Sequence, residues 1–177
     1  MIFENELIAG VLVKRYKRFF VDIKVKNNVI TAHCPNTGSM MGLLKSGNKV
    51  WFTETNDSKR KLKYTLQIIE LNGKKVGINT NLTNKIFYEA LLERKIINKK
   101  KNDILFKEKK FNDNTRFDFF IKSKEKGTFI EVKNVTLSRY KNIAEFPDAV
   151  TERGLKHIAE LIKAKNKGFD IYLAFVI

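Results

Sequence analysis

The sequence predicts an α+β protein in two parts: a small OB-like β-barrel over residues 1–80 and an α/β domain with a mixed sheet over residues 81–177. Three observations lead there. Residues 7–79 hold five or so short apolar runs between turn residues, with no good helix among them. Residues 85–97 and 148–168 instead carry apolar side chains at the 3.6-residue spacing of amphipathic helices. Between those helices, residues 116–133 alternate apolar and charged residues on both sides of a polar turn, as a half-buried hairpin does.

In the first half, residues 7–25 alternate loosely through Val11, Val13, Phe20, Val21 and Ile23, and runs at 29–33, 50–53, 62–71 and 76–79 follow. So few short strands are best closed into an OB-type barrel, which hides its edges and offers one face to oligonucleotides. Residues 79–84 form a polar seam. The helix over 85–97 aligns Phe87, Ala90, Leu91 and Arg94, with Glu89 and Glu93 on its flank. A basic polar loop at 98–102 leads to a strand at 104–111 and then to the hairpin. After a loop over 136–147, Asp148 is placed to cap a second helix whose apolar face is Val150, Leu155, Ile158, Ala159 and Ile162 and which Gly168 ends. Gly154 inside this helix costs up to about 1 kcal/mol relative to Ala, which implies close packing or ligand approach there. Residues 169–177 read as a buried strand. Strand, helix and strand in that order make a right-handed crossover, hence parallel pairing within a mixed sheet.

The chain has 177 residues, 43% of them hydrophobic, enough for a core. Its 35 basic and 19 acidic residues leave a net charge of +16, the footprint of a polyanion binder, nucleic acid before an acidic membrane surface. Much of that excess is Lys in a chain also rich in Asn and Ile, a composition that biased coding produces too. One Cys excludes an internal disulfide, and one Cys with two His cannot build a Cys/His zinc site. No stretch is long enough to span a bilayer and the start lacks a signal-peptide pattern, so a cytoplasmic location with no membrane partner is expected.

Three basic or polar segments are candidates for phosphate contact. Arg15-Tyr16-Lys17-Arg18-Phe19-Phe20 interleaves cations with aromatics, and Lys59-Arg60-Lys61-Leu62-Lys63 is a second cluster. Either also reads as a solvated face over a barrel core. In His33-Cys34-Pro35-Asn36-Thr37-Gly38-Ser39-Met40, a tight loop rich in N–H groups and hydroxyls can cradle a phosphate through Asn36, Thr37 and Ser39. Arg153 and His157, four apart, share a face of the second helix.

In the hairpin, a four-residue loop at 123–126 sets Asp118 directly opposite Glu131, with Cβ atoms about 5 Å apart, and Arg116 opposite Lys133. Two carboxylates so close require positive charge, and a divalent ion is one source. The same residues also read as a checkerboard of diagonal salt bridges that needs no ion.

The loop at 33–40, Glu131-Val132-Lys133-Asn134-Val135-Thr136-Leu137, and Phe146-Pro147-Asp148-Ala149-Val150-Thr151-Glu152-Arg153-Gly154 with His157 together resemble the sugar fermentation stimulation protein (SfsA) family, as do Arg15-Tyr16-Lys17-Arg18-Phe19 and Lys59-Arg60-Lys61. The resemblance covers essentially the whole chain. It implies an OB-like β-barrel followed by a PD-(D/E)XK nuclease-like α/β domain, DNA binding without strong sequence preference through residues such as Arg15, Lys17, Arg18, Asn36, Thr37, Ser39, Lys59, Arg60 and Arg153, and a regulatory link to sugar metabolism, notably maltose. In that fold Asp118 and Glu131 match the motif carboxylates that hold Mg²⁺ or Mn²⁺, and Lys133 matches the motif lysine. A nuclease acting through Asp118, Glu131 and Lys133, with Glu89 as a third carboxylate, is the alternative reading. Members of the family continue beyond the strand that ends at Ile177, so an open apolar edge and association into a homo-oligomer are expected.

Overall fold

The computed structural model describes residues 2–93, 96–97, 100, 102–140 and 143–177. Two compact units form: one holds the chain up to Leu82 together with Val135–Ala149, the other Thr83–Asn134 with Val150–Ile177. The chain therefore leaves the second unit after the hairpin, adds Val135–Ala149 to the first, and returns.

The first unit is an OB-like barrel. Strands β1 (Ile8–Tyr16), β2 (Phe20–Val25), β3 (Asn28–His33), β4 (Lys49–Glu54), β5 (Tyr64–Leu71) and β6 (Lys74–Gly77) lie in the order β3-β2-β1-β4-β5-β6. A short parallel pairing of β3 with β5, Ala32 with Tyr64 and His33 with Thr65, closes the first five strands on themselves. Leu12, Val21, Ile23, Val50, Phe52 and Leu66 fill the interior at 1% exposure or less. On β2 and at Val50 and Phe52 they follow the period of 2, while Leu66 lies between buried Thr65 and Gln67 where the β4–β5 ladder shifts register. The single alternating run expected over residues 7–25 is cut by a turn at Lys17–Phe19. Lys17 and Arg18 there adopt left-handed φ of 48° and 61°, which lets β2 fold back on β1.

The second unit contains α1 (Thr83–Leu92), β7 (Ile104–Asn112), β8 (Thr115–Lys122), β9 (Gly127–Asn134), α2 (Glu152–Asn166) and β10 (Asp170–Val176). Its sheet runs β10-β9-β8-β7, antiparallel except for the parallel β9–β10 pair joined through α2. The sheet is therefore mixed, with a helix on each face as in the PD-(D/E)XK nuclease-like fold. Phe87 and Leu91 of α1 pack on Phe119, Ile121, Ile130 and Val132. Leu161 and Ala164 of α2 pack on Phe117, Phe120 and Phe129, with Phe111 and Phe169 completing the aromatic cluster.

Several sequence expectations are corrected. Helix α1 ends at Leu92 rather than at residue 97; Ile96 and Ile97 form a bend, and Ile97 still reaches the same core. Arg94, expected on its apolar face, lies outside the described residues, as do residues 98, 99 and 101 of the expected loop. The cap of α2 is Thr151, whose hydroxyl accepts from Gly154 N at 3.1 Å, and not Asp148. Gly154 is buried beside this cap, where a Cβ would lie 2.7 Å from Thr151 Cγ2. The side of α2 that meets the sheet is Gly154, His157, Leu161 and Ala164, whereas Leu155, Ile158 and Ile162 are 70%, 42% and 52% exposed. No helix among the described residues is long and apolar enough to cross a membrane.

Candidate functional site

Hydrogen bonds tie two of the three candidate segments together at one rim of the barrel, and the Ala32–Tyr64 pair brings the end of the third next to β3. The Arg15 guanidinium donates through Nε to the Arg18 carbonyl at 3.1 Å and through Nη2 to the Asn36 carbonyl at 2.8 Å, tying the Lys17–Phe19 turn to the polar loop. Cys34 N donates to the Phe19 carbonyl at 2.7 Å, and Phe20 pairs with His33. The third segment contributes Arg60: burial first, and then the Arg60 charge, lower the pKa of His33. Lys17, Arg18, Phe19, Lys59 and Arg60 are exposed, while Arg15 is half-buried with two of its five N–H donors committed to carbonyls. Arg15 thus braces the rim that Lys17 and Arg18 project from. Cys34 is fully buried, and that burial raises its thiol pKa away from a reactive thiolate.

The polar loop already holds an anion. Asn36 Oδ1 accepts from Gly38 N at 2.8 Å, a turn that presents the following donors outward. Into them comes Asp148: Ser39 Oγ donates to its carboxylate at 3.2 Å and to its carbonyl at 2.9 Å, and Met40 N donates to Oδ2 at 3.1 Å. A Cβ on Gly38 would lie 2.6 Å from the same Oδ2, so only glycine admits this approach. A phosphate at Ser39 must therefore compete with Asp148, whereas Thr37 is exposed and uncommitted to it.

In the second unit the hairpin has its expected loop, Lys122 pairing with Gly127. The β8–β9 ladder stops at Phe119–Ile130, one step before Asp118 meets Glu131, although both strands continue. Asp118 is the cause: its Oδ2 accepts the Val132 amide at 2.7 Å, and its Oδ1 accepts Asn84 Nδ2 of α1 at 2.8 Å. The β7–β8 ladder also skips this position, passing from Lys107–Phe119 to Lys109–Phe117 and leaving Glu108 at a φ of 52°. Strand β8 changes face here, because Phe117 packs under α2 while Phe119 and Ile121 pack under α1. The regular alternation expected across Phe117, Phe119 and Ile121 thus breaks at the carboxylate. Burial first raises the Asp118 pKa, the Glu131 charge adds to it, and the two hydrogen bonds and Lys133 oppose it.

Glu131 is 3% exposed and accepts Lys133 Nζ at 2.5 Å through Oε1. His157 of α2 meets the same oxygen through Nδ1, which is 3.3 Å from Lys133 Nζ. Lys133 therefore pairs with its own strand neighbour Glu131 rather than diagonally with Asp118, and Arg116 is exposed, so the checkerboard does not form. Glu89 lines a cavity of about 490 Å³ beside α1 that Asp118 and Glu108 also line. Arg153 is exposed in the first turn of α2. Sequence reasoning missed Asn84, which meets Asp118 from 34 residues away with no local signal. His157 was noted in the sequence for its shared face with Arg153 and within the resemblance, but its contact with Glu131 was not foreseen.

No group of three or more His, Cys, Asp or Glu among the described residues is arranged to hold a metal ion. The donor set nonetheless suits a hard cation that keeps several waters: two carboxylates on adjoining strands, one of them resisting ionisation because it is buried and, secondarily, because the other is charged.

The comparisons agree along the whole chain. The sugar fermentation stimulation protein RE domain matches residues 81–177 and the SfsA N-terminal OB domain matches residues 13–78. A sugar fermentation stimulation protein homolog of Pelagibacter ubique is 50% identical over all 177 residues, which span 76% of that protein. One of Sinorhizobium medicae is 42% identical over 98% of the chain and 74% of its own length. The structure of Pyrococcus furiosus SfsA in complex with Ca²⁺ superposes with a TM-score of 0.84 at 26% identity, covering 99% of this chain and 74% of that one. With an OB barrel, a mixed sheet between two helices and these matches, the chain belongs to the sugar fermentation stimulation protein family.

Proposed function

We propose that this protein binds DNA with little regard to sequence, chiefly through phosphate contacts. The observation that carries the reading is the convergence of Lys17, Arg18 and Arg60 beside the Asn36–Ser39 loop on a chain of net charge +16. Two adjacent non-glycine residues with left-handed backbone at the centre of that rim are the kind of strain that accumulates where side chains must be presented to a ligand. Phosphate contacts of this kind position a duplex without reading its bases. Under this reading any effect on sugar metabolism, maltose included, is exerted through DNA occupancy. Anisotropy titrations with labelled duplexes of unrelated sequence test it. The expected result is similar affinity for each duplex, lost in parallel when Lys17, Arg18 and Arg60 are replaced by Ala. No binding at low salt would refute the reading.

A second reading, metal-dependent cleavage, is favoured by the grouping of Asp118, Glu131 and Lys133 and by the Ca²⁺ in the Pyrococcus furiosus relative's structure. Asp118 and Glu131 would hold Mg²⁺ or Mn²⁺, which when bound supplies Lewis acidity and an activated water. Lys133, held by Glu131 at 17% side-chain exposure, would steady negative charge developing on a phosphate. Calorimetry with Mn²⁺ should show heat of binding that Asp118→Ala abolishes. DNA cleavage that needs metal and disappears in Glu131→Ala would establish this activity, and binding without cleavage under several metals would exclude it.

A further inference from the structure

The single tryptophan lies on the outside of the barrel, not in its core. On β4, Val50 and Phe52 point inward and are buried, so Trp51 between them faces out and is half-buried. Its cross-strand neighbours are Ala9 on β1 and Ile68 on β5, and Ile68 is followed across the sheet by Gly77 on β6. Ala9 and Gly77 are small, and a Cβ built on Gly77 meets nothing within 4 Å, so no bulky β6 side chain stands at that position beside Ile68. The neighbouring row on the same face reads Lys24 on β2, Val11 on β1 and Lys49 on β4, while Glu70 and Lys75 pair across β5 and β6. Lys49 Nζ and Lys75 Nζ sit 5.0 Å and 4.8 Å from the centroid of the Trp51 ring. Glu70 is the one carboxylate among the residues named on this face.

We infer that this outer face is a binding site for single-stranded nucleic acid, with Trp51 stacking an unpaired base while Lys49, Lys75 and Lys24 take the flanking phosphates. The inference rests on the nucleic-acid reading above and adds a second contact surface of different selectivity. Magnitudes favour exchange of ligands on the ring. An exposed cation–π contact stabilises by about 0.5–1 kcal/mol, and two ammonium groups sharing one ring repel each other. A base stacked on an aromatic ring contributes about 1–3 kcal/mol. Each lysine released from the ring can then neutralise a phosphate and release counterions. Duplex bases already stack on one another and offer no free π-face, so the ring selects unpaired bases. An anionic membrane also attracts lysines and tryptophan, but inserting into lipid requires a broad apolar area, and here the apolar residues around the ring, Ala9, Ile68 and Val11, are interspersed with Lys24, Lys49, Lys75 and Glu70.

The test uses the fluorescence of Trp51, which no other tryptophan obscures. An unlabelled thymidine oligonucleotide is titrated against the intrinsic emission, and labelled single strand and duplex are followed by anisotropy in parallel. Emission should be quenched with the same midpoint as the single-strand anisotropy. Trp51→Ala should weaken single-strand binding roughly 5- to 150-fold and leave duplex affinity unchanged. Trp51→Phe, which keeps an aromatic face, should retain most of it, and Lys49→Gln with Lys75→Gln should weaken it with the ring intact. Single-strand binding without quenching, and undiminished in Trp51→Ala, would overturn this inference while leaving the DNA-binding reading in place. Absence of binding to either DNA would overturn both. Quenching by phosphatidylserine vesicles but not by the oligonucleotide would assign the face to a membrane and overturn it as well.

Discussion

Burial and the charge of Glu131 hold the Asp118 carboxyl above its ordinary value of 3.8, so the native state keeps its proton to higher pH than the unfolded chain does. Between the unfolded and native pKa values the native state binds more protons, and stability falls as pH rises through that window. In metal-free protein the penalty is complete once the pH has passed the native pKa. Asp118→Asn removes the ionisation, and after a flip of Asn84 it can still accept from Val132 N or donate to Asn84 Oδ1. The variant should therefore melt higher than wild type at neutral pH in the absence of metal and lose the fall in stability above the carboxylate range. A lower melting temperature for the variant at neutral pH would show that the hydrogen bonds of the carboxylate outweigh its desolvation. Lys17 and Arg18 illustrate a different residue-scale cost, since each holds a left-handed φ that Asn or Gly adopts more easily. Arg18→Asn should raise the unfolding free energy by about 0.5–1 kcal/mol in urea titrations while weakening DNA binding. Loss of stability in that variant would mean that the guanidinium contributes to the fold.

At the scale of elements, α2 separates what packs from what merely looks apolar. Leu161 is 3% exposed against the phenylalanine cluster, so Leu161→Ala should cost about 2–5 kcal/mol. Leu155, Ile158 and Ile162 form a stripe at i, i+3 and i+7 that is exposed. Replacing all three with Gln should leave the unfolding free energy within about 1 kcal/mol and reduce self-association in sedimentation velocity. A wild-type protein that is monomeric at high concentration would refute the association. Hydropathy favours the exposed stripe over Gly154, His157, Leu161 and Ala164, which is why the sequence pointed to the wrong side. The sheet face beneath α2 is filled by Phe111, Phe117, Phe120, Phe129 and Phe169, and Leu161 and Ala164 are the α2 side chains that pack into it. Asp148 was misread for a related reason. An Asp three residues before Thr151 has the chemistry of a cap, but its carboxylate is claimed by Ser39 and Met40, more than 100 residues away in sequence.

For the molecule as a whole, the excess of positive charge predicts that duplex affinity falls linearly in log–log form with salt, each phosphate-contacting lysine that is removed lowering the slope by about 1. A flat salt dependence would point away from phosphate contacts. Composition, short alternating strands and two helical periods were sufficient to read an OB-like barrel followed by a mixed-sheet α/β domain, because periodicity and turn chemistry are local properties. The hairpin register was legible for the same reason: the loop at 123–126 decides the pairs from Lys122–Gly127 to Phe119–Ile130, whereas the Asp118–Glu131 pair expected next does not form. Tertiary structure decided the rest. It broke both ladders around Asp118, gave Lys133 and His157 to Glu131, placed Asp148 in the Asn36–Ser39 loop, and returned Val135–Ala149 to the first unit. A side chain's spacing reveals which face it can occupy, but its final contact is settled by competition among donors, acceptors and volumes from distant parts of the chain.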